Sequence, residues 1–137
     1  MKNIITGSII AAMLGTLTSM MTLPNGRNDK YIEWKAPAWA DTLTNPFKGN
    51  KEAVEKGGEL YSQFCAVCHG EQGKGNGAAG YKIIPAPADH TSRRVQKQSD
   101  GAIYWKISEG RLPMSPYKKI LDDEQRWQLV NFIRTLK

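Results

Sequence analysis

Cysteine is almost absent from this sequence: 137 residues hold two, Cys65 and Cys68. A disulfide framework needs more bridges over longer loops, so that class is excluded. Methionine is nearly confined to the first 21 residues, and beyond them only Met114 remains. Histidine occurs twice, as His69 and His90. The apolar–polar alternation of a half-buried strand persists nowhere for long. Basic residues are plentiful but never run together, and only Arg93–Arg94 and Lys118–Lys119 are neighbours. The net charge of +6 and pI near 9.4 therefore describe a solvated surface. A nucleic-acid-binding stripe needs clustered charge, so no nucleic-acid partner is expected. With 40% hydrophobic and 23% charged residues the composition is globular, which excludes wholesale disorder.

What is present begins with a targeting pattern. Lys2 precedes an uncharged stretch whose most apolar parts are Ile4-Ile5 and residues 9–14. A positive start followed by an apolar region is the form of a secretory signal. Residues 1–23 are expected to be a cleaved signal peptide or, second, a retained membrane anchor. Residues 4–23 have the length of a span but are diluted by Thr, Ser and Gly. Either reading exports the rest of the chain. Residues 24–49 read as a linker, punctuated by Pro24, Pro37 and Pro46. Trp34, Trp39 and Phe47 are unusual in a free linker, and the plain expectation is that they lie against the following domain.

That domain, residues 50–137, reads as all-α. One helix is expected over 51–64, with Ala53, Val54, Gly57, Leu60, Tyr61 and Phe64 on one face and Asn50 as its cap. A second is expected over 100–109, capped by Ser99 or Asp100 and ended by Gly110. A third is expected over 123–136, where Asp122 and Gln125 have the spacing of a capping box. Its apolar face is Leu129, Val130, Phe132, Ile133 and Leu136. The core of so small a domain is marginal unless a large apolar ligand completes it.

Cys65-Ala66-Val67-Cys68-His69 points to that ligand. C-x-x-C-H is the attachment signature of c-type haem. Two thiols three residues apart share one side of a helical turn and can each add to a vinyl group. His69 then offers an imidazole nitrogen to the iron. A thioredoxin-like pair would need a strand–helix context, whereas this pair follows a helix. A zinc site of Cys65, Cys68, His69 and His90 is strained by the adjacency of Cys68 and His69. For the other face of the iron, Met114 is preferred. It lies between Pro113 and Pro116, which fix the backbone of its loop. A lone methionine is commonly a core filler, and His90, otherwise a surface histidine, is the rival ligand. Gly75-Asn76-Gly77-Ala78-Ala79-Gly80 matches a dinucleotide-binding pattern, but the strand and helix that must flank such a loop are missing.

From Asn50 to Lys137 the sequence resembles the class I c-type cytochromes. The resemblance implies one covalent haem c, with Cys65 and Cys68 as thioethers and His69 and Met114 as iron ligands. It implies that the first and last helices cross where Gly57 and Tyr61 meet Leu129 and Phe132. It implies that the carbonyl of Pro85 or Pro87 accepts a hydrogen bond from His69. Arg111, Trp105 and Tyr117 are further candidates for haem contacts. The function implied is outer-sphere electron transfer between respiratory partners, a protein donor and a protein acceptor. No catalytic residue and no small-molecule substrate are expected, and Lys74, Lys82 and Lys118 are candidates for steering acidic partners. The location implied is periplasmic, or membrane-anchored facing the periplasm. The alternatives are a haem subunit of a larger membrane redox complex and, if Met114 leaves the iron open, a haem enzyme or gas sensor.

Overall fold

A computed structural model describes residues 33–137. The expected signal or anchor, residues 1–23, lies outside the described residues. Among the described residues no helix is long and apolar enough to cross a membrane.

Five α-helices carry the architecture: α1 Lys51–Phe64, α2 Ala66–His69, α3 Arg93–Gln96, α4 Asp100–Glu109 and α5 Asp123–Ile133. No strand occurs among the described residues, only an isolated bridge between Arg111 and Met114. The three long helices start where their caps dictate. Asn50 accepts from the Ala53 amide at 3.1 Å, and Ser99, rather than Asp100, accepts from Ala102 at 3.0 Å. Asp122 and Gln125 exchange bonds of 2.8 and 3.0 Å in a capping box. The last helix ends at Ile133, three residues before its expected limit. Beyond it the amides of Thr135 and Leu136 turn to the carbonyls of Phe132 and Ile133, at 2.8 and 3.2 Å, and Gln96 binds the carbonyls of Ile133 and Leu136 at 2.9 and 3.0 Å.

α1 packs against α5 along Ala53, Gly57 and Tyr61, which are buried at four-residue spacing. A β-carbon at Gly57 would sit 2.0 Å from the Gln128 carbonyl oxygen, so only glycine permits this approach. Beside it the rings of Tyr61 and Phe132 lie 5.0 Å apart. The expected crossing of the first and last helices is thus present, and Leu129 is fully buried within it.

α5 is buried on more than its apolar face, since Arg126, Gln128 and Asn131 are also inside. A buried cation needs partners. Arg126 donates to Ser108, to Asp123 and to the Asp122 carbonyl, and lies 4.8 Å from the Tyr104 ring. Tyr104 in turn stacks on Trp127 at 4.1 Å, which fixes α4 against α5.

Residues 33–49 lie against this body. The 3-10 turn Ala38–Thr42 packs on α4, with Ala40 fully buried. A β-carbon at Gly101 would be 1.9 Å from the Ala40 carbonyl oxygen, so the segment's backbone rests directly on the helix. Asn45 donates to Asp100 at 3.1 Å, and Phe47 joins the edge of the core. Trp39, by contrast, stays 56% exposed.

Candidate functional site

α1 delivers Cys65 at its C-terminal end, where the Cys65 amide still donates to Tyr61 at 2.8 Å. The chain then makes the single turn α2. The amides of Cys68 and His69 both donate to the Cys65 carbonyl, at 3.2 and 2.9 Å. Positions i, i+3 and i+4 share a face of a helix, and Cys65, Cys68 and His69 line one cavity of about 640 Å³. Burial, reinforced by the neighbouring Cys68, pushes the Cys65 thiol up to about 12.

The turn ends in carbonyls that need donors. The glycine loop supplies them: Ala79 donates to Val67 at 2.9 Å, Gly77 to Cys68 at 3.1 Å and Gly75 to His69 at 2.7 Å. A β-carbon at Gly77 would lie 2.4 Å from the Ala66 oxygen, and one at Gly80 would lie 2.3 Å from the Cys68 oxygen. The glycines of the G-x-G-x-x-G string therefore bring one backbone against another. Their loop runs from α2 into a short 3-10 turn, Gly80–Lys82.

His69 Nδ1 lies 2.9 Å from the carbonyl oxygen of Ala88. This corrects the expectation that Pro85 or Pro87 takes that bond. The Pro87 carbonyl faces Gly75 instead, where a β-carbon would meet it at 2.6 Å. Both prolines remain cavity walls. A carbonyl only accepts, so Nδ1 carries the hydrogen and Nε2 keeps its lone pair. Burial holds His69 below the ordinary imidazole range, against the opposing pull of the Ala88 bond. The ring is therefore a neutral donor suited to a metal.

His90 is not the surface residue expected. Its ring stacks on His69 with centroids 4.2 Å apart and planes 18° apart. Its Nδ1 meets the Tyr61 hydroxyl at 3.1 Å, and its amide donates to Gly73 at 2.6 Å. Burial, then the proximity of His69, lowers it to about 3. Two rings in stacking contact leave no room for a third ring between them. His90 therefore shares the His69 wall and does not oppose it.

Met114 reaches the same cavity from the loop after α4. Gly110, at φ 61°, turns the chain out of the helix. Arg111 and Met114 then close a tight loop by donating to each other at 3.0 and 2.9 Å. Behind it Tyr117 donates its amide to Ile107 at 3.1 Å and its hydroxyl to Phe64 at 2.9 Å, tying the loop to both α4 and α1. Tyr117 and Arg111 line the cavity, whereas Trp105 is not among its lining residues. Trp105 faces Trp34 at 6.2 Å, and it is Trp34 that lines the space. An aromatic in the presumed linker was the only sequence signal for this. Lys74 and Lys82 are exposed, whereas Lys118 pairs with Glu109 at 2.7 Å.

Two thiols, a neutral imidazole and a thioether thus meet one cavity, whose walls include Phe64, Val95, Ile103 and Ile107. Its volume is that of a site for a sizeable ligand. The donor set and the apolar walls fit a haem.

Comparison with known proteins gives the same direction. The model of the cytochrome c family matches residues 54–137. Cytochrome c550 of Pseudomonas aeruginosa is 24% identical over 98% of this chain and 95% of its own length. Subunit FixP of the cbb3-type cytochrome c oxidase of Azorhizobium caulinodans is 44% identical over 31% of this chain and 15% of that subunit. Subunit CcoP of the same oxidase type from Azospirillum brasilense is 32% identical over 61% of this chain and 28% of that subunit. Among solved structures, a chain of the reducing HAO-like protein complex of Kuenenia stuttgartiensis superposes with a TM-score of 0.58 at 24% identity. That likeness covers 69% of this chain and 49% of the other, and it concerns the fold.

Proposed function

Because the chain belongs to the cytochrome c family, whose covalent haem c serves electron transfer, we propose that Cys65, Cys68, His69 and Met114 hold the one haem here. The observation that carries this reading is the convergence of all four on a single cavity. Cys65 and Cys68 would hold the group covalently, each thiol S–H adding across one vinyl group to give a thioether. His69 offers Nε2 to the iron while Ala88 holds its Nδ1 hydrogen. Met114 offers its sulfur from the loop closed by Arg111. Bound there, the haem supplies an iron that alternates between ferrous and ferric states.

With His69 and Met114 both engaged, such a site would leave no position for oxygen or peroxide. The protein is then an electron carrier and not an enzyme. A methionine ligand favours the ferrous state and raises the potential, which suits a respiratory carrier of relatively high potential. Its partners are a protein donor and a protein acceptor. Lys2 and the apolar residues after it support export, either to the periplasm or held at the membrane facing it. A second reading, a fixed subunit of a membrane redox complex, draws support from the likeness to oxidase subunits. Native purification separates the two, since a mobile carrier leaves the membrane free of companions.

The test of the site is carbon monoxide. The reduced, matured protein is expected to keep its spectrum under the gas, and ready binding overturns the six-coordinate assignment. Haem that leaves the denatured chain in acid acetone overturns the thioethers.

A further inference from the structure

We infer that His90 is a positioning residue for His69: its ring, held by the Tyr61 hydroxyl, fixes the direction of the iron-binding imidazole. This role rests on the proposed haem site.

His69 is held at one atom by Ala88, whose carbonyl oxygen lies 2.9 Å from Nδ1. The torsion that swings an imidazole about its Cβ–Cγ bond is broad. A single hydrogen bond narrows that swing, and a surface is needed to stop it. His90 supplies the surface. Its ring lies 4.2 Å from that of His69, with the planes 18° apart. A rotation of His69 about Cβ–Cγ drives the ring edge into that face.

His90 is itself held from several sides. Its amide donates to the Gly73 carbonyl at 2.6 Å, and its carbonyl accepts from the Gln96 side chain at 2.7 Å. Gln96 also binds the carbonyls of Ile133 and Leu136, so this anchor reaches the end of α5. A β-carbon at Gly73 would lie 3.1 Å from His90 Cβ, which leaves no slack on that side. On the ring, Nδ1 shares a hydrogen bond of 3.1 Å with the Tyr61 hydroxyl, and the Tyr61 ring meets His90 edge-on at 5.7 Å. Tyr61 is buried in α1 and braced by Phe132 at 5.0 Å. An apolar side chain of similar size would fill this place with no polar atom to satisfy. What a histidine adds is a flat face whose angle is set by a hydrogen bond. Groups locked in this way by packing and hydrogen bonding hold a neighbouring ligand within the narrow tolerance of a working site. An iron ligand that keeps its direction in both oxidation states lowers the rearrangement that accompanies each electron.

The experiment uses the full-length, matured protein carrying His90→Leu, His90→Phe, Tyr61→Phe or Asp122→Ala. Proton resonances of the haem methyl groups are recorded in the ferric state, where their spread reports the direction of the axial imidazole. The ferrous–ferric self-exchange rate is read from line broadening in mixed samples. His90→Leu is expected to change the methyl spread and to slow self-exchange several-fold, with the weak red band kept. His90→Phe retains a flat ring and restores most of both. Tyr61→Phe moves the spread in the same direction as His90→Leu, and by less. Asp122→Ala changes neither, since that cap is exposed and does not line the cavity. A parental spread in His90→Leu overturns the inference. Equal changes in His90→Leu and Asp122→Ala also overturn it, because they mean general loosening. Should His90→Leu fail to mature, Tyr61→Phe carries the test, and a parental spread there overturns the inference. A parent without covalent haem fails the underlying site and this role together, which acid acetone extraction shows separately.

Discussion

Arg111 and Met114 trade backbone hydrogen bonds in both directions, at 3.0 and 2.9 Å, so the sulfur-bearing residue sits in a closed loop. Leu112 and Pro113 form the exposed tip, and Met114 is half-buried. A thioether binds iron weakly and must be held rather than found. Met114→Ala keeps this loop and removes only the donor. The ferrous variant is expected to bind carbon monoxide, to lose the weak red band of a sulfur–iron bond, and to show a lower potential. His90→Leu is expected to do none of these. Carbon monoxide binding in the His90 variant but not in the Met114 variant means ligation by two histidines.

The thioethers are tested one sulfur at a time. Cys65→Ala or Cys68→Ala leaves at most one bond to the cofactor, and His69→Ala prevents stable maturation. A denaturing gel stained for haem and the mass of the matured chain give the count. A fully stained, correctly massed Cys65→Ala product contradicts the two-thioether site.

Gly57→Ala places a carbon 2.0 Å from the Gln128 carbonyl oxygen. Overpacking of this severity costs about 3 kcal/mol. Alanine gains roughly 1 kcal/mol over glycine inside a helix. The net expected loss is about 2 kcal/mol, read from the denaturant midpoint of the matured protein. An unchanged midpoint means that α1 and α5 are further apart than described.

Gly75→Ala tests the Ala88 bond to His69. Gly75 has φ 74°, and an added β-carbon meets the Pro87 oxygen at 2.6 Å. Left-handed backbone alone costs about 1 kcal/mol for alanine. The push on Pro87 also displaces the Ala88 carbonyl from His69. A histidine without that acceptor is a poorer donor to iron, so the potential is expected to rise, opposite in sign to Met114→Ala. A variant that is destabilised but keeps the parental potential shows that the carbonyl has not moved.

Asp122→Ala removes the cap of α5 and is expected to cost about 1 kcal/mol. The potential should stay at the parental value, since Asp122 is exposed and does not line the cavity.

The long helices were legible because their starts are local chemistry. Asn50, Ser99 and Asp122 each accept from an amide three residues on, and sequence alone displays that spacing. The thiol–imidazole turn was legible for the same reason. Less could be read where the partner is a backbone carbonyl, because every residue has one. Ala88 takes the His69 hydrogen in place of Pro85 or Pro87, through the packing of Pro87 on Gly75. The inward setting of His90 depends on Tyr61 and Gly73, distant in sequence, so no local pattern displays it. The last helix gives way after Ile133 to tighter turns, and the Gln96 side chain that binds there belongs to another element.

The clasp between the two ends of the domain sets an order of events. Asn131 reaches Asn45 across 86 positions, and Val130 and Leu129 have no exposed surface. A chain made from its amino end has no such clasp until residues 123–133 are delivered. Until then the face of α1 that carries Ala53, Gly57 and Tyr61 lies uncovered, so the helix that leads into the cysteines is seated last.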